Sequence, residues 1–292
     1  MSKLNLIEAV EKGLNELTEE DSWQENVLHI SDLGSTIEGE GCLRQVYLRL
    51  QGAEKAKRHA GIQFMFNQGH AIHERIVSIM NLPKEWKLIG TEIECRFPIF
   101  KMVGACDMLL QNEETGERVV VDFKTVRGNA FNYLDSPKPG NVAQVQGYIE
   151  AFDASYGKLL YIDREGQNGF REFDVQRDRQ TVIERANTLY KMALSEEAPD
   201  ILSPDIKLRE NKSSYAIYIK QPWCCDYCDY ADISCKTALP YELRDNGVVG
   251  HVDKDTGEIT LKDESIEDAL YAHGTLGIVK ASIAEQYEIE RE

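Results

Sequence analysis

The stretch GACDMLLQNEETGERVVVDFKT, residues 104–125, decides how this chain reads. Apolar and β-branched runs over 102–111 and 118–125 flank the polar segment Asn112–Glu117, whose glycine and charges are those of a turn, so two adjacent antiparallel strands are predicted. Asp107 falls toward the end of the first strand, and Asp122 and Lys124 fall in the second. Side chains alternate faces along a strand, so Asp122 and Lys124 project together while Val121 and Phe123 project the other way. Burying a carboxylate and an ammonium beside Val119, Val120 and Val121 costs several kcal/mol unless they meet partners. A divalent cation is one such partner, since Mg2+ is held by one or two carboxylates plus waters and substrate phosphate. From these residues alone, a structural Asp–Lys ion pair is the other.

At 292 residues with 42% apolar content, the chain can bury a core as one large domain or two. It has no run of eighteen apolar residues, and residues 1–17 form an acidic amphipathic pattern with Ile7, Val10, Leu14 and Leu17 on one face. Neither a membrane span nor a signal peptide is expected, which places the chain in the cytoplasm. Seven cysteines in such a chain point away from a disulfide framework and toward free thiols or metal ligation. The net charge of -17 is concentrated at the ends: residues 1–29 hold seven acids against two bases, and residues 245–292 hold twelve against four. The stretch between them is close to balanced and includes basic groups such as Lys55, Lys57 and Arg58, then Lys124 and Arg127. A phosphate-binding groove is compatible with them, although most such basic runs are solvated faces, so composition neither supports nor excludes DNA.

Along the chain the patterns are mixed α and β. Helical spacing covers 41–52, 65–80, 141–155 and 177–196, the last with Val182, Ile183, Ala186, Leu189, Tyr190 and Ala193 inward. Strands are expected over 91–125, 157–164 and 169–175, giving a sheet flanked by helices. Residues 197–222, with Pro199, Pro204 and Pro222, read as a connection. A hairpin around Asp255-Thr256-Gly257 and an acidic helix close the chain.

The segment WCCDYCDYADISC is the second strong signal. Cys225 and Cys228 have the CxxC spacing of a metal knuckle, Cys235 follows, and Cys224 is a spare. A closed site needs a fourth thiolate. Cys95 and Cys106 fall in predicted strands, where a buried cysteine behaves as a small hydrophobe, so Cys42 at the start of a helix is the better choice. By spacing, zinc and an iron–sulphur cluster are both admissible. Trp223 and Tyr227 read as core residues, with stacking on bases as the alternative.

Four motifs occur in order: Gly69-His70-Ala71-Ile72-His73, Gly104-Ala105-Cys106-Asp107, Asp122-Phe123-Lys124 and Gln144-Val145-Gln146-Gly147-Tyr148. They resemble the GxxxH, GxxD, (D/E)xK and QxxxY motifs of the PD-(D/E)XK nuclease superfamily. With Cys42 upstream and Cys225, Cys228 and Cys235 downstream, the chain is similar to the RecB-type iron–sulphur nucleases, which include AddB, the CRISPR-associated Cas-four family and stand-alone phage exonucleases. The resemblance covers residues 30–240, with an acidic N-terminal helix over 1–29 and an acidic hairpin and helix over 241–292. Two departures stand out: Asp122 occupies a position where glutamate is common, and the Cys228–Cys235 spacing is one residue longer than expected.

The resemblance implies a restriction-endonuclease-like α/β fold, a mixed central sheet flanked by helices, with an iron–sulphur cluster subdomain. It implies a divalent-metal-dependent DNA exonuclease of replication, recombination or repair that acts on single strands or ends. His73, Asp107, Asp122 and the backbone carbonyl of Phe123 would hold Mg2+ or Mn2+. Lys124 would orient or help deprotonate the attacking water, and Gln144 and Tyr148 would reach the scissile phosphate or a base. Cys42, Cys225, Cys228 and Cys235 would ligate a 4Fe-4S cluster, with zinc as the alternative. No GxxxxGK[ST] phosphate loop is present, so a helicase or recombination protein would be a partner rather than a built-in motor. Two other classes compete: a non-catalytic DNA-binding scaffold subunit, and a zinc-knuckle interaction protein that recruits partners through its acidic ends.

Overall fold

The computed structural model describes Lys12 and residues 26–56, 60–97, 100–202, 205–231, 233–235, 248–262, 264–273 and 276–291. The amphipathic face expected at Ile7, Val10, Leu14 and Leu17 lies outside them. The described residues form two compact units: one holds those of Met1–Gly52 and Arg58–Glu197, the other those of Ala53–Lys57 and Ala198–Glu292.

The first unit is built on a six-stranded mixed sheet. Its strands are β1 (Leu28–His29), β2 (Trp86–Phe97), β3 (Met102–Asn112), β4 (Arg118–Val126), β5 (Tyr156–Asp163) and β6 (Phe170–Gln176). The order is β1-β3-β4-β5-β6, with β2 on the other edge of β3. The hairpin β3–β4 forms as the sequence pattern predicts: Asn112 Oδ1 accepts from the backbone N–H groups of Glu114 and Thr115, and Gly116 takes the positive φ of 75° that closes the turn. β4 and β5 are parallel, which requires a crossover; α3 (Gly128–Asn132) and α4 (Pro139–Phe152) supply it. The remaining helices are α1 (Leu43–Leu50), α2 (Ala60–Ile79) and α5 (Arg179–Ala193), with a 3-10 turn at Ile30–Thr36.

Both faces of the sheet are covered. On one, Val120, Leu159 and Tyr161 meet Ala143, Val145, Tyr148 and Ile149 of α4 and Val182, Ala186 and Leu189 of α5. On the other, Met108, Leu110, Val119, Val121 and Phe123 meet Ile72, Ile76 and Val77 of α2. Gly157 lets α4 close on the sheet, because a Cβ there would lie 2.3 Å from Val145 Cγ1. The inward stripe of α5 is narrower than its periodicity suggests: Tyr190 is exposed and Met192 is buried instead.

The second unit has its own antiparallel sheet, in the order β10-β9-β8-β7. Its strands are β7 (Asp205–Glu210), β8 (Ser214–Lys220), β9 (Val248–Asp253) and β10 (Ile259–Leu261). Ile217, Ile219, Val249 and Val252 form a core with Ile266 and Leu270 of α6 (Glu264–His273) and Val279, Ile283 and Tyr287 of α7 (Leu276–Arg291). The stretch 197–222, expected as a connection, therefore supplies half of this sheet. The expected closing hairpin and acidic helix belong to the same unit, which begins at Ala198 rather than after residue 240, and the helix is two helices. No described helix is long and apolar enough to cross a membrane.

Candidate active site

The site grows from the place where β3 and β4 part. Their ladder runs from Gln111–Arg118 to Met108–Val121 and stops there. Beyond it β4 continues only along β5, while β1 takes the vacated edge of β3 at Met102 and Val103. Asp107 and Asp122 occupy the first positions past the last rung, one on each parting strand. The Phe123 N–H, released from β3, donates to Asp107 Oδ2 at 2.5 Å. The Phe123 ring turns away into the core under α2.

Asp107 has a carboxylate neighbour on its other side as well. The pairs Thr91–Met108 and Ile93–Cys106 put Glu92 of β2 opposite Asp107. Glu92, Asp107 and Asp122 thus form a row across three adjacent strands, although like charges directly opposite one another repel. Glu92 also has φ 47°, a left-handed backbone unusual for a non-glycine residue. None of the four sequence motifs includes it.

His73 comes from α2, which packs on β4; one turn before it, Gly69 lies over Thr125, where a Cβ would make ordinary contact at 3.6 Å from Thr125 Oγ1. Its imidazole packs edge-on against Phe123, with ring centroids 5.4 Å apart, and His73 Nδ1 lies 3.8 Å from Asp107 Oδ2. His73, Glu92 and Asp107 each offer a ligand atom, all within 4.8 Å of one another. His70, one turn earlier, lies edge-on to His73 rather than joining this group.

Lys124 Nζ lies 2.8 Å from Asp122 Oδ2 and donates to Gln144 Oε1 at 3.0 Å. Gln144 Nε2 in turn donates to the Tyr148 hydroxyl at 3.0 Å. The QxxxY pair is therefore a relay that fixes Lys124. Tyr148 itself is buried, its ring lying over Gly104, where a Cβ would come within 2.9 Å of Tyr148 Cε1. This explains the glycine of the GxxD motif.

Electrostatics follow from burial. Burial pushes the Asp107 carboxyl up to about 6 against the opposing pull of Lys124 and the Phe123 N–H. Burial does the same to Asp122, also to about 6, with Lys124 opposing and Asp107 adding to the rise. Burial and then Lys124 hold His73 down at about 4, so its imidazole is neutral and competent to ligate. Burial works against the Lys124 charge, but Asp122 and Asp107 outweigh it and keep the ammonium protonated. Burial raises Glu92 too, opposed by His70 and supported by Asp122 and Glu74.

One buried ligand-type atom, His73 Nδ1, has no hydrogen-bond partner, and another, Asp122 Oδ2, is met by the Lys124 ammonium at ion-pair distance. Leaving such an atom unpaired costs about 1–3 kcal/mol. Carboxylate oxygens with one neutral imidazole nitrogen are donors that suit a divalent cation such as Mn2+ or Mg2+, so the residues fit the metal that the motifs imply.

Two of the cysteines lie where the sequence suggests. Cys95 and Cys106 are buried strand residues, and burial pushes the Cys95 thiol up to about 12, as inert thiols. In the second unit Cys225 and Cys235 are buried and Cys228 is half-buried along a chain of tight turns, with Cys228 N–H on Cys225 O and Cys235 N–H on Tyr230 O. Cys42 is the buried N-cap residue of α1 in the first unit. No disulfide joins any of the seven. Trp223 and Tyr227, expected as core, are about half exposed.

A family model for the PD-(D/E)XK nuclease superfamily matches residues 34–235. No curated protein matches the sequence. Among solved structures, that of SSO0001 is 20% identical, with a TM-score of 0.49 over 78% of this chain and 95% of that one. An alkaline exonuclease from Laribacter hongkongensis is 13% identical, with a TM-score of 0.41 over 59% and 87%. A phage-related exonuclease from Haemophilus somnus 129PT is also 13% identical, with a TM-score of 0.41 over 61% and 96%.

Proposed function

The chain belongs to the PD-(D/E)XK nuclease superfamily, and from that membership we propose that it is a divalent-metal-dependent DNA exonuclease acting on single strands or DNA ends. The observation that carries this reading is the parting of β3 and β4, which leaves Asp107 and Asp122 just past the last rung with Lys124 2.8 Å from the latter. Such a row is unfavourable without a cation and serves a nuclease with one.

His73, Asp107, Asp122 and the Phe123 carbonyl would hold Mg2+ or Mn2+. Bound there, the ion would polarise a phosphodiester oxygen and acidify a water. The chain's own residues do the rest. Lys124, kept as an ammonium by its two aspartates, donates a hydrogen bond to the attacking water or to the scissile phosphate and offsets charge that develops on it. Gln144 and Tyr148 hold Lys124 in place through the hydrogen bonds Lys124–Gln144 and Gln144–Tyr148. A lysine pre-positioned in this way loses little side-chain freedom when substrate arrives.

The preference for single strands and ends, and a helicase or recombination protein as partner, rest on the resemblance to RecB-type nucleases. So does a 4Fe-4S cluster on Cys42, Cys225, Cys228 and Cys235, for which four thiols outside any disulfide are the right donor chemistry. Zinc is the alternative occupant, and iron, sulphide and zinc analysis of anaerobically purified protein decides between them. End-labelled single- and double-stranded DNA, incubated with Mg2+ or Mn2+, tests the activity. The expected result is stepwise shortening from an end that EDTA abolishes; no shortening with either ion overturns the proposal.

A further inference from the structure

We propose that Glu92 is a metal ligand of this site, joining His73 and Asp107 in holding the divalent cation; the inference rests on the nuclease reading above and extends its ligand set beyond the motif residues. Three observations converge on it. First, ligand atoms of His73, Glu92 and Asp107 already lie within 4.8 Å of one another, a spread that small side-chain adjustments close onto one ion. Second, the strand register makes Glu92 the outer member of the row Glu92–Asp107–Asp122. Three carboxylates against the single ammonium of Lys124 leave an excess of two negative charges, which one divalent cation balances. Third, His73 Nδ1 is buried with no hydrogen-bond partner, and Asp122 Oδ2, on a side chain only 3% exposed, has the Lys124 ammonium as its ion-pair partner at 2.8 Å. The His73 nitrogen is an unmet position on the ligand set that does not belong to the acidic row.

The local backbone agrees. In regular strand geometry Glu92 would complete a rung with Asp107; instead its φ of 47° interrupts the pairing between Thr91 and Ile93. A left-handed non-glycine residue costs about 1–3 kcal/mol and persists only where its surroundings hold it. Glu94, two residues on, is a matched contrast: like Glu92 it is exposed on the same strand, but it lies opposite Ala105 rather than Asp107.

The test is Mn2+ binding to metal-free protein, measured calorimetrically at pH 8 for wild type, Glu92→Gln, Glu94→Gln and Asp122→Ala, with melting in EDTA confirming that each variant is folded. Losing a charged ligand weakens affinity, so Glu92→Gln is expected to bind Mn2+ about tenfold more weakly or worse, while Glu94→Gln stays within about twofold of wild type. Glu92→Asp, which keeps the charge, recovers part of the loss. Equal affinities for wild type and Glu92→Gln overturn the assignment while leaving the nuclease site standing. An equal loss in Glu94→Gln also overturns it, because the effect is then one of general charge. If wild type binds no Mn2+, or Asp122→Ala binds as well as wild type, the nuclease reading falls as well.

Discussion

Replacing Asp107 by asparagine should stabilise the metal-free protein. Burial lifts the Asp107 carboxyl from the ordinary 3.8 to about 6. The folded state therefore holds this proton more tightly than the unfolded chain does, and folding is penalised whenever the group is ionised. At 1.36 kcal/mol per pKa unit, the penalty is about 3 kcal/mol above pH 7, about half that at pH 5, and nearly gone at pH 4. The asparagine side chain would carry no charge and still offer an oxygen to the Phe123 N–H. Lys124 would keep Asp122 as its partner. Allowing for the burial of the amide, the expected gain is about 2 kcal/mol at pH 8 and none at pH 4. That corresponds to roughly 4–8 °C in melting temperature for a domain of this size. Melting in EDTA at the two pH values reads it directly. With Mn2+ at a hundredfold its dissociation constant, wild type should regain about 2.7 kcal/mol that the variant does not, so the order reverses. An asparagine variant no more stable than wild type at pH 8 in EDTA refutes the idea that this carboxylate is held ionised at a cost which a metal relieves.

Two other outcomes follow from the same geometry. Because Asp107 and Asp122 must both shed protons to ligate and are pushed up to about 6, Mn2+ affinity should hold above pH 7 and fall as pH drops through 6; His73, held near 4, stays neutral throughout that fall. Calorimetric titrations from pH 5 to 8 check this, and an affinity that holds unchanged down to pH 5 contradicts it. Gly104→Ala puts a methyl group 2.9 Å from Tyr148 Cε1 and 3.2 Å from Ile30, an overpacking expected to cost about 1–3 kcal/mol in urea denaturation. By displacing Tyr148 it should also lower kcat on DNA more than it changes Mn2+ affinity.

Much of the fold was legible because its signals are local. The β3–β4 hairpin is written in two β-branched runs and a turn, and α4 and α5 in their periodicity. The placing of Asp107 and Asp122 just past the last rung then follows from the turn. His73 was legible only through the order of the motifs, since an isolated histidine on α2 carries no pattern of its own. Glu92 was not legible. Placing it opposite Asp107 needs the β2–β3 register, and nothing local distinguishes it from Glu94 two residues away. The strands β7 and β8 were hidden for a related reason: Asp205-Ile206-Lys207-Leu208-Arg209-Glu210 carries only two apolar residues and follows Pro199 and Pro204. Its sheet is completed by β9, about 30 residues further on. Tyr148 read as a group facing substrate because QxxxY shares a helix face. The sign that it is buried was Gly104, a glycine inside a strand, where close approach by another group is the usual cause.

Digestion of end-labelled single-stranded DNA by wild type, Asp122→Ala and Lys124→Ala in Mn2+ tests the metal-and-lysine site most directly. Loss of cleavage in both variants is predicted, with Mn2+ affinity lost in Asp122→Ala but kept in Lys124→Ala, which lacks the lysine and no metal ligand. Full metal-dependent cleavage by either variant would contradict it.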